Sequence, residues 1–219
     1  MKAKLSPQNL VVITLAVALL VMLAYMRSWP DPSVPDAVGP PGIAFGPVNA
    51  AVTVVAFLSP VCSHCETFER VSAPTLYEAA EAGTLRYVVY PVKTGRTTDQ
   101  DMAGLICAAH QNAFPKFLKV RYGDPRHTLK LATALQLDAR VFERCLKQPA
   151  TAERSALIGT WAKKLKVQAT PTFYINDRAD AQFRKVQGDK GVGFWEDVKA
   201  FAGRLRDLQE PVLVNTSGR

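Results

Sequence analysis

The sequence predicts an α/β domain preceded by a membrane-spanning helix. Two observations predict the domain. A short apolar run rich in β-branched residues leads directly into two cysteines spaced C-x-x-C, and a later block of helical patterns gives way to a strand hairpin. An uncharged apolar run near the N-terminus predicts the membrane helix. At 219 residues the chain is long enough for one domain of ordinary size besides such a segment.

The N-terminal segment, residues 1–27, is predicted to be a membrane anchor. Residues 10–26 carry no charge and are preceded by Lys2 and Lys4. The run is longer than the ~7 to 15 apolar residues typical of a signal peptide, which favours an uncleaved anchor. The alternative is a cleaved signal peptide, because the small residues at 37–39 are typical of a cleavage site. The positive residues would hold the N-terminus in the cytoplasm and deliver the rest of the chain to the far side.

Residues 28–47 are predicted to be a linker, because six prolines in this stretch favour an extended spacer over a packed element. The folded domain is then expected over residues 48–210, and residues 211–219 form a tail without a clear signal. The net charge of +8 does not indicate nucleic-acid binding. The basic residues are dispersed, and their longest cluster, residues 163–166, is typical of a solvated helix face, so no nucleic-acid partner is expected.

The first half of the domain is predicted to be a strand-helix-strand unit. Residues 52–58 have the pattern of a strand buried on both faces, and a helical pattern follows from Ser63. Pro74 predicts a kink in that helix and Gly83 its end. Residues 85–92 read as the second strand, and such a unit predicts a parallel pair with a right-handed crossover.

The second half of the domain begins with helices and ends on a hairpin and a closing helix. Residues from about 94 to 166 read as helical throughout, which predicts an inserted helical subdomain. Residues 167–175 and 182–188 are predicted to pair as strands. Residues 194–208 form an amphipathic helix. Its predicted apolar stripe consists of Phe194, Val198, Phe201 and Leu205.

The C-x-x-C pair is the candidate active site. Cys62 would lie at a helix N-terminus, where free N–H groups and the helix dipole stabilise a thiolate, so Cys62 is the candidate nucleophile. Cys65, one turn further, could close a short disulfide as the resolving thiol. Between them, His64 could lower the thiol pKa or could be an ordinary exposed residue, and the spacing does not decide. Ser63 completes the dipeptide that tunes the redox potential.

The motifs FLSPVCSHCETFE and VQATPTFYIN, with helices between them, resemble the thioredoxin-fold thiol-disulfide oxidoreductases of the DsbA type, including their membrane-anchored relatives. The resemblance covers nearly all of residues 48–208. It implies a thioredoxin-like fold whose redox group is the cysteine pair itself, without a separate cofactor or metal. It also implies that Pro171 is cis and faces the cysteines, so that the backbone of Thr170 is presented to a substrate peptide.

Two positions depart from this family. The best-known members have an acidic residue six positions ahead of the first cysteine, where this chain has Ala56. Proton transfer to the buried thiol would then use water, Glu66 or Glu69. In addition, Ser63 stands where the oxidase of this type has proline, so the strength of the oxidant does not carry over.

Two further cysteines, Cys107 and Cys145, fall in separate predicted helices. Some relatives have a second disulfide at similar positions, so the resemblance implies that these two form a structural disulfide. Two free buried thiols are the alternative, because cysteine packs well in cores.

The resemblance implies a disulfide-donating oxidase that acts on reduced or partly oxidised exported proteins in the periplasm and is recharged by a membrane redox partner. Isomerases of this type carry a dimerisation domain ahead of the catalytic one, for which residues 28–47 are too short, so an oxidase is preferred. The protein is expected to be a monomer. A reductase or isomerase of the same fold is the first alternative. A zinc module that adds Cys107 and His110 to the C-x-x-C pair is the second. A non-catalytic peptide-binding groove around Val61 and Pro171 is the third.

Overall fold

The computed structural model describes residues 16–20, 22, 41–124, 128–177 and 183–209. The chain divides into two compact units, Met1–Asp36 and Ala37–Arg219. In the first unit, residues 16–20 and 22 are helical and exposed. The rest of the predicted anchor, and the predicted tail 211–219, lie outside the described residues. Within the described ranges, no helix has both the length and the apolar character needed to cross a membrane.

The described part of the second unit contains a five-stranded sheet with the order β1-β3-β2-β4-β5. Strands β2 and β3 are parallel, whereas β1 pairs with β3, β4 with β2, and β5 with β4 in antiparallel fashion. The predicted parallel pair and the predicted hairpin are both present. The strands are β1 (Ile43–Phe45), β2 (Val52–Leu58), β3 (Leu85–Pro91), β4 (Thr172–Asp177) and β5 (Arg184–Gln187).

The helices fall into an insertion between β3 and β4 and a set that flanks the sheet. Helices α1 and α2 connect β2 to β3, helices α3 to α7 form the insertion, and α8 closes the chain. The predicted α/β fold with an inserted helical subdomain is confirmed. The helices are α1 (Ser63–Val71), α2 (Ala73–Glu81), α3 (Asp99–His110), α4 (Phe114–Gly123), α5 (Thr128–Ala134), α6 (Ala139–Leu146), α7 (Pro149–Lys164) and α8 (Val192–Gln209).

Strand β1 lies inside the range predicted to be a linker. It pairs with β3 at the sheet edge, and the Arg154 side chain donates hydrogen bonds to the carbonyl oxygens of Pro41 and Gly42 at 2.9 and 2.8 Å. The ordered domain therefore begins before residue 48. The expected boundary was wrong because a three-residue strand leaves no periodicity to detect among prolines.

The connection between β2 and β3 contains two helices where one kinked helix was predicted. Helix α1 ends at Val71, and α2 starts at Ala73 with Pro74 in its first turn. Proline is tolerated there because the first N–H groups of a helix have no intrahelical partner. Pro74, which was expected to kink one long helix, instead lies in the first turn of a second helix.

The core extends over both faces of the sheet. Val54 and Ala56 of β2 belong to one cluster and Phe57 to another, and all three are fully buried. On helix α8, however, the buried residues are Trp195, Val198 and Ala202, whereas Phe201 is 38% exposed. The predicted stripe on α8 was therefore rotated by about one position. The full burial of Trp195, whose ring lies 4.6 Å from that of Phe173, decides which side of α8 faces the sheet.

Candidate functional site

The C-x-x-C pair lies where β2 ends and α1 begins. Ser59, fully buried, accepts a hydrogen bond from the Val61 N–H through its hydroxyl oxygen, and its carbonyl oxygen accepts one from the Cys62 N–H at 3.2 Å. Its hydroxyl oxygen also accepts a hydrogen bond from the Thr94 hydroxyl at 2.6 Å. These contacts fix the turn that presents Cys62.

Cys62 occupies the N-cap of helix α1. Its Sγ atom accepts a hydrogen bond from the Cys65 N–H at 3.4 Å and donates one to the carbonyl oxygen of Thr170 at 3.3 Å. Both cysteines of the pair are free thiols, Cys62 partly exposed and Cys65 buried. The sulfur of Cys62 is therefore reachable from solvent, and it lies beside the loop that precedes β4.

The surroundings of Cys62 favour its thiolate. Partial burial opposes ionisation, but the Thr170 side chain, Cys65 and the backbone of His64 outweigh it, and the pKa of the Cys62 thiol is lowered. The backbone donors are the free N–H groups of the first helical turn. The sequence argument from the helix N-terminus thus agrees with the local geometry.

Cys65 has the opposite environment. Burial raises the pKa of its thiol far above that of a free cysteine, and a charge on Cys62 would raise it further. The hydrogen bonds that it receives from the backbone of Ser59 and from Thr170 act against the shift but do not cancel it. The two thiols of one helical turn therefore differ sharply in acidity.

The two residues between the cysteines, Ser63 and His64, are exposed at the start of α1. The contribution of His64 to the Cys62 thiolate comes from its backbone N–H. The spacing left open whether His64 lowers the thiol pKa or is an ordinary exposed residue. In the structure its backbone stabilises the thiolate, whereas its side chain lies at the surface.

Thr170 and Pro171 form the opposite wall of the site. The peptide bond between them is cis. The Pro171 carbonyl accepts a hydrogen bond from the Gly188 N–H at 2.9 Å, and the Thr172 hydroxyl donates to the Ala169 carbonyl at 2.7 Å. The loop is thereby held on both sides of the proline, which keeps the Thr170 carbonyl beside Cys62.

A groove of about 950 Å³ begins at Thr170 and extends between α3 and α7. Its walls are partly apolar and carry lysines. Val61, which the sequence placed with Pro171 on a peptide-binding surface, is exposed but does not line this groove. Residues along the walls are Lys93, Met102, Thr151, Ala156, Lys163 and Gln168.

A buried carboxyl group lies one turn beyond Cys65. Glu69 is 6% exposed, and the Tyr77 hydroxyl lies 3.4 Å from both of its carboxylate oxygens. Of the two acids that the sequence suggested in place of the one missing at Ala56, Glu66 is half-buried and only Glu69 is enclosed. The contact between Tyr77 and Glu69 could not be predicted from the sequence, because the two residues belong to different helices.

The remaining cysteines are bonded to each other, with 5.7 Å between the Cα atoms of Cys107 and Cys145. Cys107 is therefore not available beside the C-x-x-C pair, and the structure does not assemble the four ligands of the zinc alternative. Among the described residues, no three or more histidine, cysteine or acidic side chains are placed to hold a metal ion.

Comparison with known proteins agrees with this geometry. A family model described as thioredoxin matches residues 39–187. No curated protein sequence matches the chain. Alpha-DsbA1 of Wolbachia pipientis superposes with a TM-score of 0.65 at 20% identity, covering 78% of this chain and 96% of that one.

Two further solved structures are similar. DsbA of Chlamydia trachomatis has a TM-score of 0.59 at 19% identity and covers 82% of this chain and 97% of its own. Alpha-DsbA2 of Wolbachia pipientis, a thiol-disulfide exchange protein, has a TM-score of 0.59 at 15% identity, with coverages of 77% and 89%. The predicted thioredoxin-like fold is confirmed, and the solved structures agree with the resemblance to DsbA proteins in fold. The chain belongs to the thioredoxin family, and it has the DsbA-type fold, with a helical insertion between β3 and β4.

Proposed function

We propose that this protein is a thiol-disulfide oxidoreductase that donates the Cys62–Cys65 disulfide to reduced or partly oxidised exported proteins. The observation that carries the proposal is the contrast between the two thiols. Cys62 is accessible and has a lowered pKa, whereas Cys65 is buried and has a raised one. The thiolate is the reactive form of cysteine, so Cys62 is the sulfur that bonds to the substrate and Cys65 the one that resolves the bond.

In the donating direction a substrate thiolate attacks the Cys62 sulfur of the enzyme disulfide. A mixed disulfide forms, the Cys62–Cys65 bond breaks, and Cys65 leaves as a thiolate that takes up a proton. A second substrate thiolate then attacks the substrate sulfur and releases Cys62 as a thiolate. The substrate loses two electrons and the enzyme gains two. The stabilised thiolate of Cys62 is a good leaving group, which favours release of the oxidised substrate.

An extended substrate peptide would pair with the backbone at Thr170. The Thr170 carbonyl lies 3.3 Å from the Cys62 sulfur, so a peptide bound there would have its own cysteine close to the attacked atom. The groove that begins at Thr170 would receive neighbouring side chains of the peptide. The exchange activity of alpha-DsbA2, a protein of the same fold, supports this reaction class.

We also propose that residues 10–26 anchor the protein in the cytoplasmic membrane with the domain in the periplasm. The uncharged run behind Lys2 and Lys4 supports this topology. Membrane fractions from cells that make the full chain should retain it after an alkaline carbonate wash. Protease added to spheroplasts should degrade the domain. Recovery of the full chain from the soluble fraction would contradict the anchor.

The decisive experiment is the equilibrium reduction potential of the Cys62–Cys65 pair in the full chain, titrated against glutathione with thiol trapping and mass detection. A value near ~−120 mV supports a disulfide donor, whereas a value near ~−270 mV supports a reductase and makes Ser63 the next residue to change. In parallel, Cys62→Ala should abolish disulfide exchange. Exchange that survives this substitution would overturn the assignment of the site.

A further inference from the structure

Three tyrosines surround the buried carboxyl group of Glu69. They come from three different elements: Tyr77 from α2, Tyr87 from β3 and Tyr122 from α4. The hydroxyls of Tyr87 and Tyr122 are buried, and neither has a hydrogen-bond partner in the part of the chain that the structure describes. We call Glu69 and these tyrosines the carboxyl–tyrosine cluster. It is a group of polar side chains inside an otherwise apolar core. Buried polar groups without hydrogen-bond partners are uncommon in proteins and call for a structural or functional explanation.

The carboxyl–tyrosine cluster lies beside Cys65. Glu69 follows Cys65 by four positions on α1, which puts their Cβ atoms about 5–6 Å apart on one side of the helix. Charges on Cys65 and on Glu69 both act on the hydroxyls of Tyr87 and Tyr122. The buried thiol and the buried acid therefore share one region of low dielectric.

Among the side chains that the structure describes, no cation is paired with Glu69. Of the two buried carboxylates in the described residues, Asp101 is paired with Arg121 at 2.7 Å, and Glu69 is bonded to tyrosine. Burial raises the pKa of Glu69 to about 8, although the hydrogen bond from Tyr77 and the nearby Tyr87 hydroxyl act to lower it. Because that value lies close to neutrality, the carboxyl can both hold and give up a proton under physiological conditions.

The other ionisable groups in this region do not take on this role. Cys62 and Glu66 act on Tyr122 from the open side of α1 and are not enclosed. Burial raises the pKa values of all three tyrosines well above the physiological range, so they remain hydrogen-bond donors. Ala56, on the strand below, cannot ionise. Among the enclosed groups described in this region, Glu69 is thus the one whose protonation can change near pH 7.

We propose that Glu69 exchanges a proton with Cys65 when the Cys62–Cys65 disulfide opens and closes, a role that rests on the proposed function. When the disulfide opens, the neutral carboxyl gives its proton to the Cys65 thiolate and becomes a carboxylate held by the tyrosine hydroxyls. When the disulfide closes, the carboxylate takes the proton from the Cys65 thiol, and the thiolate attacks the Cys62 sulfur of the mixed disulfide, which breaks the bond to the partner and releases the partner's sulfur as a thiolate. The acid thus acts from the active-site helix in place of the strand position occupied by Ala56.

The reaction of the reduced full chain with the aromatic disulfide DTNB tests this. The Cys62 thiolate first displaces one thionitrobenzoate ion and forms a mixed disulfide. Cys65 then loses its proton, closes the Cys62–Cys65 disulfide and displaces the second ion. Stopped-flow absorbance separates the two releases, so the second phase reports the deprotonation of Cys65 alone.

With Glu69 as the base, the second phase of the natural protein should accelerate up to about pH 8 and then level off. In Glu69→Gln it should be at least tenfold slower at pH 8 and should keep rising with pH, because hydroxide is then the only base. The first phase should be unaffected. A second phase in Glu69→Gln that keeps the natural rate and the natural inflection would overturn the proposal.

Matched variants separate this role from a structural one. Glu66→Gln removes the same group from the same helix at a half-buried position, and it should keep the natural inflection. Glu69→Asp should restore part of the rate. Tyr77→Phe retains the carboxyl but removes a donor to it, so the inflection should move to higher pH even if Glu69→Gln fails to fold. An unmoved inflection in Tyr77→Phe would contradict the proposal. If the natural protein releases only one ion, the proposed function itself fails.

Discussion

The thiol sulfur of Cys62 lies 3.3 Å from the carbonyl oxygen of Thr170, a residue 108 positions away in the sequence. The contact joins the helix that stabilises the thiolate to the loop proposed to bind the substrate backbone. In the proposed reaction, the substrate sulfur would attack Cys62 while the substrate backbone binds at Thr170, and these two sites lie next to each other on the surface. The residue that reacts and the residue that binds the peptide are therefore in direct contact.

The first prediction concerns the division of labour between the cysteines. In Cys65→Ala the Cys62 thiolate should attack the disulfide of an oxidised peptide, release one peptide thiol and form a mixed disulfide that it cannot resolve, so the covalent complex should accumulate. Non-reducing mass spectrometry after mixing the oxidised peptide with the variant measures the complex. Cys62→Ala is the control and should give none. An equal yield of complex from both variants would show that the buried thiol is also reachable.

The second prediction follows from the lowered pKa of Cys62. The rate of iodoacetamide alkylation of Cys62 should show an inflection below the ~8.5 of a free thiol, while buried Cys65 stays unmodified. Thr170→Val keeps the backbone carbonyl beside Cys62 but removes the side-chain hydroxyl that favours the thiolate, so the inflection should move upward. Mass detection after each pH point gives both profiles. Identical profiles would mean that the Thr170 side chain does not stabilise the thiolate.

The lowered pKa of Cys62 also predicts how the unfolding free energy of the reduced protein changes with pH. Because the folded pKa lies below the unfolded one, the reduced form gains stability as pH rises from the folded pKa to ~8.5, and it loses this gain as pH falls. Glu69, whose folded pKa is raised, has the opposite pH dependence in this range, so the measured quantity is the difference in unfolding free energy between the reduced natural protein and Cys62→Ala. Urea unfolding across the window should show that this difference grows with pH. A difference that stays constant over the window would contradict the shift.

The third prediction concerns the buried pair of Asp101 and Arg121. Both side chains are about nine-tenths buried, so removing the carboxylate in Asp101→Ala leaves a buried guanidinium without its partner and should cost ~3–5 kcal/mol of unfolding free energy. Urea titration measures the loss. The double variant Asp101→Ala with Arg121→Met should be less destabilised than the sum of the two single variants. Additive losses would argue that the two side chains are not coupled.

The fourth prediction concerns the bond between Cys107 and Cys145. It closes a loop of 38 positions within the helical insertion, so its removal by Cys107→Ala with Cys145→Ala should cost up to ~4 kcal/mol of stability in the chain-entropy model. The exchange reaction at Cys62 should persist at temperatures where the variant is folded. A loss of exchange in the folded variant would assign this bond a part in the reaction.

The active-site helix could be predicted from sequence because its signals are local. A buried strand, a break and a C-x-x-C pair at a helix start lie within a few residues of one another, and this arrangement set both the roles of Cys62 and Cys65 and the parallel pairing of β2 with β3. Strand β1 was missed because it is short and lies among prolines. The sequence alone could not reveal that Tyr77, Tyr87 and Tyr122 converge on Glu69, because packing brings together three separate elements.

Helix α8 shows a different kind of error. Its amphipathic period was visible, but a periodic pattern with several large apolar residues fits more than one rotation about the helix axis. Phe201 was assigned to the buried side, and the structure turns Trp195 inward instead. The position of the partner surface decides the rotation, and that position is not encoded within the helix.

The full burial of Cys65 leaves Cys62 as the one sulfur of the C-x-x-C pair that a partner can reach. In the proposed function, the substrate and the partner that restores the disulfide would use this same sulfur and could not occupy it together. The proposed catalytic cycle is therefore a ping-pong cycle, with parallel lines in double-reciprocal initial-rate plots. Each of the two partners should also act as a competitive inhibitor of the other at high concentration. In the cell, a surplus of unoxidised clients would then slow the recharging of the enzyme that serves them.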